Sequence, residues 1–246
     1  MVKVGKNVKR AKAGDGVLLS YGSCDNCLYC NNGKPHACGG FIPINFMREG
    51  QQLAKSSTGG DIHTSFFGQS AFANHALVLE SSVVVVPEGT DLVNMAPLGC
   101  GLQTGSGAVI NRLKPSKNEA VAIYGLGAVG MSAVWACAYL GIETVIAIDL
   151  DQGRLDIAKA TGATHAFNGK DADLVEKIRK ATNGLGAAKA VECTGVIGVL
   201  KTAYQALENG SVFLECTVDD ADYGEQRLSD QLWYPRASPH RTFRGS

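Results

Sequence analysis

The stretch EAVAIYGLGAVG (119–130) decides the fold of this 246-residue chain. It begins with a short apolar run of the kind found in buried strands. The run leads directly into Gly125-x-Gly127-x-x-Gly130, and an uncharged apolar segment then continues as far as Gly141. Glycine at that position is a frequent C-terminal cap of a helix. The pattern therefore predicts a buried strand, a tight turn and a buried helix, in that order.

The next apolar run, TVIAIDL (144–150), predicts a second strand whose last polar residue is Asp149, nineteen residues after Gly130. An isolated Gly-x-Gly-x-x-Gly is weak evidence. A strand before it, a helix after it and an acid at the end of the next strand make it a dinucleotide-binding signature. In such a unit the glycines permit the tight turn, the approach of a pyrophosphate to a helix N-terminus, and close packing of the helix on the sheet.

The cofactor predicted from this unit is NAD. The Asp149 carboxylate can accept hydrogen bonds from both hydroxyls of the adenosine ribose and would repel a 2′-phosphate. The three residues 150–152, Leu-Asp-Gln, supply no basic side chain to replace it, so we expect NAD rather than NADP. Asp149 is also placed to cap the helix that follows, and the two roles are compatible. The cofactor-binding residues expected in the loop are Gly125, Leu126, Gly127, Ala128, Val129 and Gly130.

Helical segments and apolar strands continue to alternate down to SVFLEC (211–216). This alternation predicts a doubly wound parallel α/β sheet. The last helix is expected to place Ile197, Leu200, Tyr204 and Leu207 on one face and to end at Gly210. Residues 1–95 have a different character, with short strands such as VLLS and VVVV, many glycines and loops, and they predict a mostly β module.

Composition excludes some classes of partner. The chain has 23 basic and 23 acidic residues, so its net charge of zero gives no sign of nucleic acid or of an anionic membrane. The uncharged stretch 120–142 is long enough for a membrane span. A strand, a Gly-x-Gly turn and a helix explain the same hydropathy, and this is the interpretation we adopt. The basic start of the chain lacks the apolar core of a signal peptide.

Four of the eight cysteines lie within CDNCLYCNNGKPHAC (24–38), at Cys24, Cys27, Cys30 and Cys38. Three interpretations are open. Tetrahedral zinc suits the spacing, because short steps let the chain wrap around one ion. Disulfides between residues three apart would constrain little, and a redox pair normally opens a helix, whereas Asn, Gly and Pro mark a loop here. We favour zinc, in a reducing cytosol.

A site closed by four thiolates has no open position for water or substrate, so this lobe is predicted to stabilise the fold and to take no part in catalysis. His36 lies within the lobe. Because four sulfurs already fill a tetrahedron, we interpret His36 as a loop residue.

Taken together, the motifs resemble the zinc-containing medium-chain alcohol dehydrogenases, closest to the aryl- or benzyl-alcohol branch. The resemblance extends from about residue 3 to residue 217 and includes the spacing between motifs. The segments that carry it are the cysteine lobe, FFGQSAFANHALV (66–78), Cys100-Gly-Leu-Gln-Thr104-Gly, GLGAVG, Asp149 with Arg154 five residues on, and ECTG (192–195).

The resemblance implies a fold and a chemistry. Residues 1–103 would form part of a GroES-like catalytic domain with the structural zinc lobe. Residues 104–246 would form an NAD-binding Rossmann domain that is incomplete at its C-terminal end. The family oxidises a primary alcohol reversibly to an aldehyde by hydride transfer to NAD, and a second zinc lowers the pKa of the bound alcohol. Intact members form homo-oligomers.

The resemblance also assigns roles to single residues. Cys100 matches one of the three protein ligands of the catalytic zinc. Thr104 matches a residue beside the nicotinamide, and Arg154 matches one that contacts the adenosine ribose. Thr194, within ECTG, is expected at the cofactor.

The sequence departs from the family pattern in what precedes Cys24. The other two catalytic-zinc ligands, a cysteine and a histidine within Gly-His-Glu, are expected there, and no cysteine precedes Cys24. Neither His63 nor His75 stands in a Gly-His-Glu setting, and the hydroxyl that relays the substrate proton is absent. Residues 217–240 do not resemble the family either. We therefore expect the chain as written to be inactive.

Three functions remain open at this point. The first is an alcohol dehydrogenase of which this sequence is a part. The second is a non-catalytic remnant that binds zinc and a nucleotide. The third, within the family, is an enzyme that oxidises S-(hydroxymethyl)glutathione.

Overall fold

The computed structural model describes residues 1–46, 54–62 and 66–216. They divide into two compact units, one from Met1 to Gly99 and one that begins at Cys100. A boundary after residue 103 would cut the helix Gly101–Gly107, which lies entirely in the second unit.

Short antiparallel strand pairs and short helices make up the described part of the first unit. Strand β1 pairs with β4, and β2 pairs with β3. The pair β1 and β4 comes from VLLS and VVVV, as predicted. The strands are β1 (Val17–Leu19), β2 (Ala54–Lys55), β3 (Asp61–Ile62) and β4 (Val83–Val85), and the α-helices are α1 (Leu28–Asn31), α2 (Phe41–Asn45) and α3 (Leu92–Met95).

A buried amide connects helix α2 to the chain just before the cysteine lobe. The side chain of Asn45 is fully buried. Its Oδ1 accepts from the Gly22 amide at 2.8 Å, and its Nδ2 donates to the carbonyl oxygens of Gly22 and Phe41, each at 2.9 Å. Since an unpaired buried amide would be costly, these three bonds fix the position of residue 22, two residues before Cys24.

The second unit contains a five-stranded parallel sheet with the strand order β7-β6-β5-β8-β9. The predicted doubly wound sheet is therefore confirmed. Its strands are β5 (Val121–Tyr124), β6 (Val145–Asp149), β7 (His165–Asn168), β8 (Ala187–Glu192) and β9 (Leu207–Glu215). The helices are α4 (Gly101–Gly107), α5 (Ala128–Leu140), α6 (Gln152–Thr161), α7 (Leu174–Ala181) and α8 (Ile197–Gln205), and α4 continues as a π-helical turn, Ala108–Leu113.

The central strand β5 is buried on both faces, which explains its continuous apolar run. Val121 and Ile123 pack into one core cluster together with residues of α5. Ala122 and Tyr124 pack into a second cluster, which includes Ile178 of α7. Each large apolar side chain that is fully buried contributes about 1.5–3 kcal/mol of transfer free energy. The sheet is therefore covered by helices on both sides.

The predicted end of the last helix is wrong. Helix α8 ends at Gln205, and Leu207 already pairs with Ala187 as the first residue of β9. Leu207 is buried in the core as a strand residue. A single apolar residue at this spacing fits the helical period and an incoming strand equally well, so periodicity could not separate the two. Gly210 adopts φ of +79° beside an irregularity in the strand register.

The uncharged stretch 120–142 consists of strand β5 followed by helix α5. Throughout the residues that the structure describes, none of the helices combines the length and the apolar character that a membrane crossing requires.

Helix α4 packs against α5 through glycines that bring the two backbones close together. A Cβ atom at Gly105 would lie 1.8 Å from the Val129 carbonyl oxygen and 2.2 Å from Ser132 Oγ. A Cβ atom at Gly101, one turn earlier, would lie 3.0 Å from Ala128 Cβ. The contact therefore requires glycine at residue 105, and it fixes α4 relative to the helix that follows the glycine-rich loop.

We expect Gly105→Ala to lower the free energy of unfolding by about 1–3 kcal/mol, because overpacking forces the two helices apart. The matched control is Gly107→Ala in the same helix, where the nearest atom to a new Cβ is Asn111 Nδ2 at 3.6 Å. The control should be neutral or stabilising by up to about 1 kcal/mol. Urea unfolding measures both, and equal free energies for the two variants would contradict the packing contact.

Candidate functional site

The glycine-rich loop between β5 and α5 can close only with glycine at two positions. Gly125 has φ of +83°, and a Cβ atom there would lie 2.7 Å from Thr194 Cγ2. A Cβ atom at Gly130 would lie 1.8 Å from the Gly125 carbonyl oxygen and 3.5 Å from Ile123 Cγ2 on β5. The absence of a side chain at Gly130 therefore leaves room for the Gly125 carbonyl oxygen. It also allows helix α5 to approach the sheet.

The middle glycine faces open space. No atom lies within 4 Å of a Cβ atom built at Gly127. Gly127 is the N-cap of α5, and no side chain caps the helix there. The first N–H groups of a helix have no partner within the helix, and they carry the positive end of its dipole. This arrangement suits a phosphate group. Ala128 is exposed, Val129 is half-buried, and Leu126 is buried beneath the loop.

Asp149 at the end of β6 accepts three backbone hydrogen bonds. Its Oδ2 accepts from the Leu126 amide of the loop at 2.6 Å. Its Oδ1 accepts from the amides of Leu150 at 2.7 Å and Asp151 at 2.9 Å. A carboxylate has about four acceptor positions, so Oδ2 keeps about one for another donor. The N-cap of α6 is Asp151, whose side chain accepts from the Arg154 amide, so the alternative role of Asp149 as that cap is not observed.

The environment of Asp149 keeps its carboxylate charged. Burial alone would raise its pKa, but the amides of Asp151, Leu126 and Leu150 and the charge of Arg154 together lower it below its ordinary value. Arg154 Nη1 lies 3.8 Å from Asp149 Oδ2. The Arg154 side chain is mostly exposed, so this ion pair is weak, and the backbone amides contribute most of the stabilisation.

Thr194 lies in the turn after β8 and faces the glycine-rich loop. Its methyl group is the atom nearest to a Cβ built at Gly125. Its amide and its hydroxyl both donate to the Glu192 carboxylate, and the Gly195 amide donates to the other oxygen of that group at 3.0 Å. Glu192 was not singled out from the sequence, although it is the first residue of ECTG.

Cys100 and Thr104 lie at the start of helix α4. Cys100 is exposed and is the N-cap of the helix. The Thr104 hydroxyl donates to the Cys100 carbonyl oxygen at 2.9 Å, one turn back. The packing of α4 on α5 holds both residues relative to the glycine-rich loop. Among the described residues, however, Cys100 belongs to no group of three or more possible metal ligands.

The four cysteines of the lobe form such a group. The sulfur atoms of Cys24, Cys27, Cys30 and Cys38 all lie within 4.8 Å of one another. The Cys27 and Cys30 sulfurs are 3.5 Å apart, and the Cys24 and Cys30 sulfurs are 3.9 Å apart. A tetrahedron of sulfurs about 2.3 Å from zinc has edges of about 3.8 Å. The geometry therefore fits a zinc ion, and all four thiols are free of disulfides.

Backbone amides support this geometry. The amides of Cys24 and Gly40 donate to the Cys38 sulfur at 3.4 Å and 3.3 Å. The amide of Cys30, and after it that of Gly39, lowers the pKa of the Cys27 thiol to about 6, whereas burial and the neighbouring Cys27 thiol raise the pKa of Cys30 to about 12. Because the thiolate is the form that binds metal, these donors favour zinc binding.

Among the described residues, neither His36 nor His75 contributes a ligand to this cluster. His36 is exposed in a 3₁₀ turn, Pro35–Ala37, and is not one of the four ligands. His63 lies outside the described residues, as does the predicted departure from the family at 217–240. His75 is exposed.

Two protein families match the chain. Residues 1–88 match the alcohol dehydrogenase GroES-like domain, and residues 128–236 match the zinc-binding dehydrogenase family. The second match includes residues 217–236, so the expectation that 217–240 departs from the family is wrong for most of that stretch. Among curated proteins, the geraniol dehydrogenase of Castellaniella defragrans is 38% identical over 206 residues, which are 81% of this chain and 54% of that protein. The alcohol dehydrogenase class-P of Arabidopsis thaliana is 33% identical over 84% of this chain and 56% of that protein.

The chain is also similar to solved structures of alcohol dehydrogenases. The benzyl alcohol dehydrogenase of Acinetobacter calcoaceticus is 37% identical, with a TM-score of 0.78 over 89% of this chain and 59% of that one. An alcohol dehydrogenase zinc-binding domain protein from Burkholderia ambifaria is 42% identical, with a TM-score of 0.80 over 87% of this chain and 58% of that one. The chain thus spans a little over half the length of these relatives.

Removing one thiolate from the lobe should release its metal. We expect the unmodified chain, purified under reducing conditions, to hold about one zinc per chain, and Cys27→Ser to hold almost none, because structural sites need all four ligands. Cys100→Ser, which removes an exposed thiol outside the cluster, should keep the zinc. Elemental analysis of the purified proteins measures the ratio. Full zinc content in a Cys24→Ser, Cys27→Ser double variant would contradict the assignment.

The lowered pKa of Asp149 predicts a stability that depends on pH. An acid whose pKa is lower in the folded than in the unfolded state stabilises the fold above its unfolded value, about 3.9, and this stabilisation is lost as the pH falls through the folded value. We expect the gap in unfolding free energy between the unmodified chain and Asp149→Asn to be constant from about pH 7 to pH 5 and to shrink below about pH 4. Urea unfolding at each pH measures the gap, and a gap that grows on acidification would contradict the predicted direction.

Proposed function

Since the chain belongs to the zinc-binding medium-chain alcohol dehydrogenases, we propose that it binds NAD and serves in the oxidation of an alcohol to an aldehyde. The observation that carries this proposal is the loop at Gly127. An open helix N-terminus lies at one end of the loop, and a charged carboxylate that holds the Leu126 amide lies at the other. A dinucleotide needs both features, one for its pyrophosphate and one for its ribose.

In this assignment the adenosine ribose lies at Asp149. The remaining acceptor position of Oδ2 takes one ribose hydroxyl, with Arg154 beside it. A phosphate on the 2′ position would meet the carboxylate, so NAD is preferred over NADP. Leu150, which is 60% exposed next to Asp149, offers an apolar surface to the adenine ring. An apolar residue at a strand end looks like part of the core, so the sequence alone did not single out Leu150 for this contact.

The reaction removes a hydride from the carbinol carbon to the nicotinamide and a proton from the hydroxyl group. In the family, a catalytic zinc lowers the pKa of the alcohol hydroxyl, so that its proton is lost at neutral pH. Cys100 would be one of its ligands, with Thr104 beside the nicotinamide. Such a site needs three protein ligands, and the described residues bring none together with Cys100. The described residues therefore support binding of the nucleotide. They do not by themselves provide the three protein ligands of a catalytic metal site.

The named relatives suggest the substrate class. Geraniol and benzyl alcohol are primary alcohols whose carbinol carbon is next to a double bond or an aromatic ring. We propose alcohols of this class as the substrates. The substrates named for these two relatives favour them over glutathione-linked formaldehyde. We also propose a cytoplasmic location, because the zinc lobe needs reduced thiols, and homo-oligomers as in the intact family.

A second candidate function is binding of zinc and a nucleotide without catalysis. The isolation of Cys100 from other ligands among the described residues is the observation that favours it. Both candidate functions require the cofactor, so a binding measurement tests what they share. NAD-dependent oxidation of benzyl alcohol separates them when it is measured on a longer chain that also carries the cysteine and the Gly-His-Glu ligands of the family.

We expect the unmodified chain to bind NADH more tightly than NADPH in a fluorescence titration. Gly127→Val should weaken NADH binding at least about tenfold, or about 1.4 kcal/mol, because its side chain enters the space assigned to the pyrophosphate. Because valine is a poorer N-cap than glycine, the titration is made at a temperature at which circular dichroism shows the variant fully folded. Gly60→Ala is the control for binding, because Gly60 is exposed, is remote from the loop in sequence, lies outside the left-handed region and has no atom within 4 Å of a new Cβ. Unchanged NADH affinity in Gly127→Val would contradict the proposed pyrophosphate position.

A further inference from the structure

Glu192 is an unusual residue in this fold. It ends strand β8, and its side chain is fully buried. Among the residues whose burial the structure describes, it is the only buried member of the Asp, Glu, Lys and Arg class. None of the ion pairs in the described part of the chain includes it. A buried carboxylate without a cation is costly unless hydrogen bonds compensate, so its partners show what it contributes.

Among the described residues, all hydrogen-bond partners of its carboxylate lie within the next three residues. Oε1 accepts from the Thr194 amide at 2.6 Å and from the Thr194 hydroxyl. Oε2 accepts from the Gly195 amide at 3.0 Å. Hydrogen bonds to an ionised acceptor are about twice as strong as neutral ones. Because both oxygens accept, a glutamine in this place would turn an N–H group toward one of these donors.

The turn that Glu192 holds leads to the glycine-rich loop. The Thr194 hydroxyl donates to Glu192 and accepts from the Val196 amide at 3.1 Å, so its orientation is fixed from two sides. That orientation leaves the Thr194 methyl group against Gly125. Gly195 has φ of +68°, a conformation that favours glycine and allows the tight turn.

We propose that Glu192 is a positioning residue for nucleotide binding, which acts by holding Thr194 against Gly125 and thereby setting the shape of the loop before the cofactor arrives. The inference rests on the proposed function, because the loop is the assigned pyrophosphate site. Burying a carboxylate is unfavourable unless hydrogen bonds compensate for the lost water. A carboxylate whose only hydrogen-bond partners are in one turn therefore serves the geometry of that turn.

The test compares Glu192→Gln with a matched control, Glu119→Gln. Glu119 precedes β5, accepts from the Ser116 amide at 2.7 Å and pairs with Lys189 at 3.2 Å. NADH titrations are made at a temperature at which circular dichroism shows every variant fully folded. We expect Glu192→Gln to raise the NADH dissociation constant about tenfold, equal to about 1.4 kcal/mol. Glu119→Gln should leave that constant unchanged.

A double-mutant cycle shows whether Glu192 acts through Thr194. Thr194→Val keeps the shape of the side chain and removes the hydroxyl donor, and it should raise the dissociation constant about threefold by itself. Combined with Glu192→Gln, the two effects should be less than additive, because they break the same contact. A purely structural carboxylate would lower the thermal midpoint without this coupling in NADH affinity. Should Glu192→Gln fail to fold, Thr194→Val alone carries the test.

Three outcomes would overturn the inference: unchanged NADH affinity in Glu192→Gln, equal losses in Glu192→Gln and Glu119→Gln, or unchanged affinity in Thr194→Val. If the unmodified chain binds NADH and Glu192→Gln binds it equally well, only the role of Glu192 is lost. If the unmodified chain binds no NADH, the proposed function is lost as well.

Discussion

The close approach of the Gly125 carbonyl oxygen to the Gly130 backbone is the constraint on which the nucleotide site depends. A Cβ atom at Gly130 would lie 1.8 Å from that oxygen, so no other residue lets the loop fold back onto its own helix. Once the loop is closed, the Leu126 amide reaches the Asp149 carboxylate and the first turn of α5 faces open space at Gly127. The strand, the helix and the acid at the next strand end are thus held in one geometry by a contact between main-chain atoms.

The zinc lobe depends on a different kind of constraint. The second unit buries two apolar clusters on the two faces of its sheet. The lobe buries little apolar surface, since Cys38 is its only buried cysteine and helix α1 has no buried residue. A zinc ion held by the four thiolates would supply the binding free energy that such a short segment cannot gain from apolar burial. A site closed by four thiolates would also leave no position for a substrate.

How much of this could be predicted depended on the range of the interactions involved. The strand, loop and helix of the glycine motif and the four-cysteine spacing were predicted because each is a short-range pattern with its own physical requirement. The end of α8 was not, because Leu207 satisfies a helical and a strand interpretation equally. Asp149 and Asp151 are two acids near one helix start, and only the structure assigns the cap to Asp151. The burial of Glu192 depends on neighbours that are distant in sequence, so no local sequence pattern predicted it.

Two carboxylates hold the glycine-rich loop from opposite sides. Asp149, at the end of β6, accepts the Leu126 amide, and Glu192, at the end of β8, holds the residue whose methyl group contacts Gly125. Both strands neighbour β5 in the sheet, one on each side. Neither carboxylate depends mainly on a cation, since Asp149 accepts three amides beside an exposed Arg154 and Glu192 has no ion pair among the described residues. Because these backbone amides are already ordered, binding of a ligand costs less conformational entropy, and this favours affinity. The carboxyl groups at these two strand ends therefore organise the loop, and the helix N-terminus between them remains open.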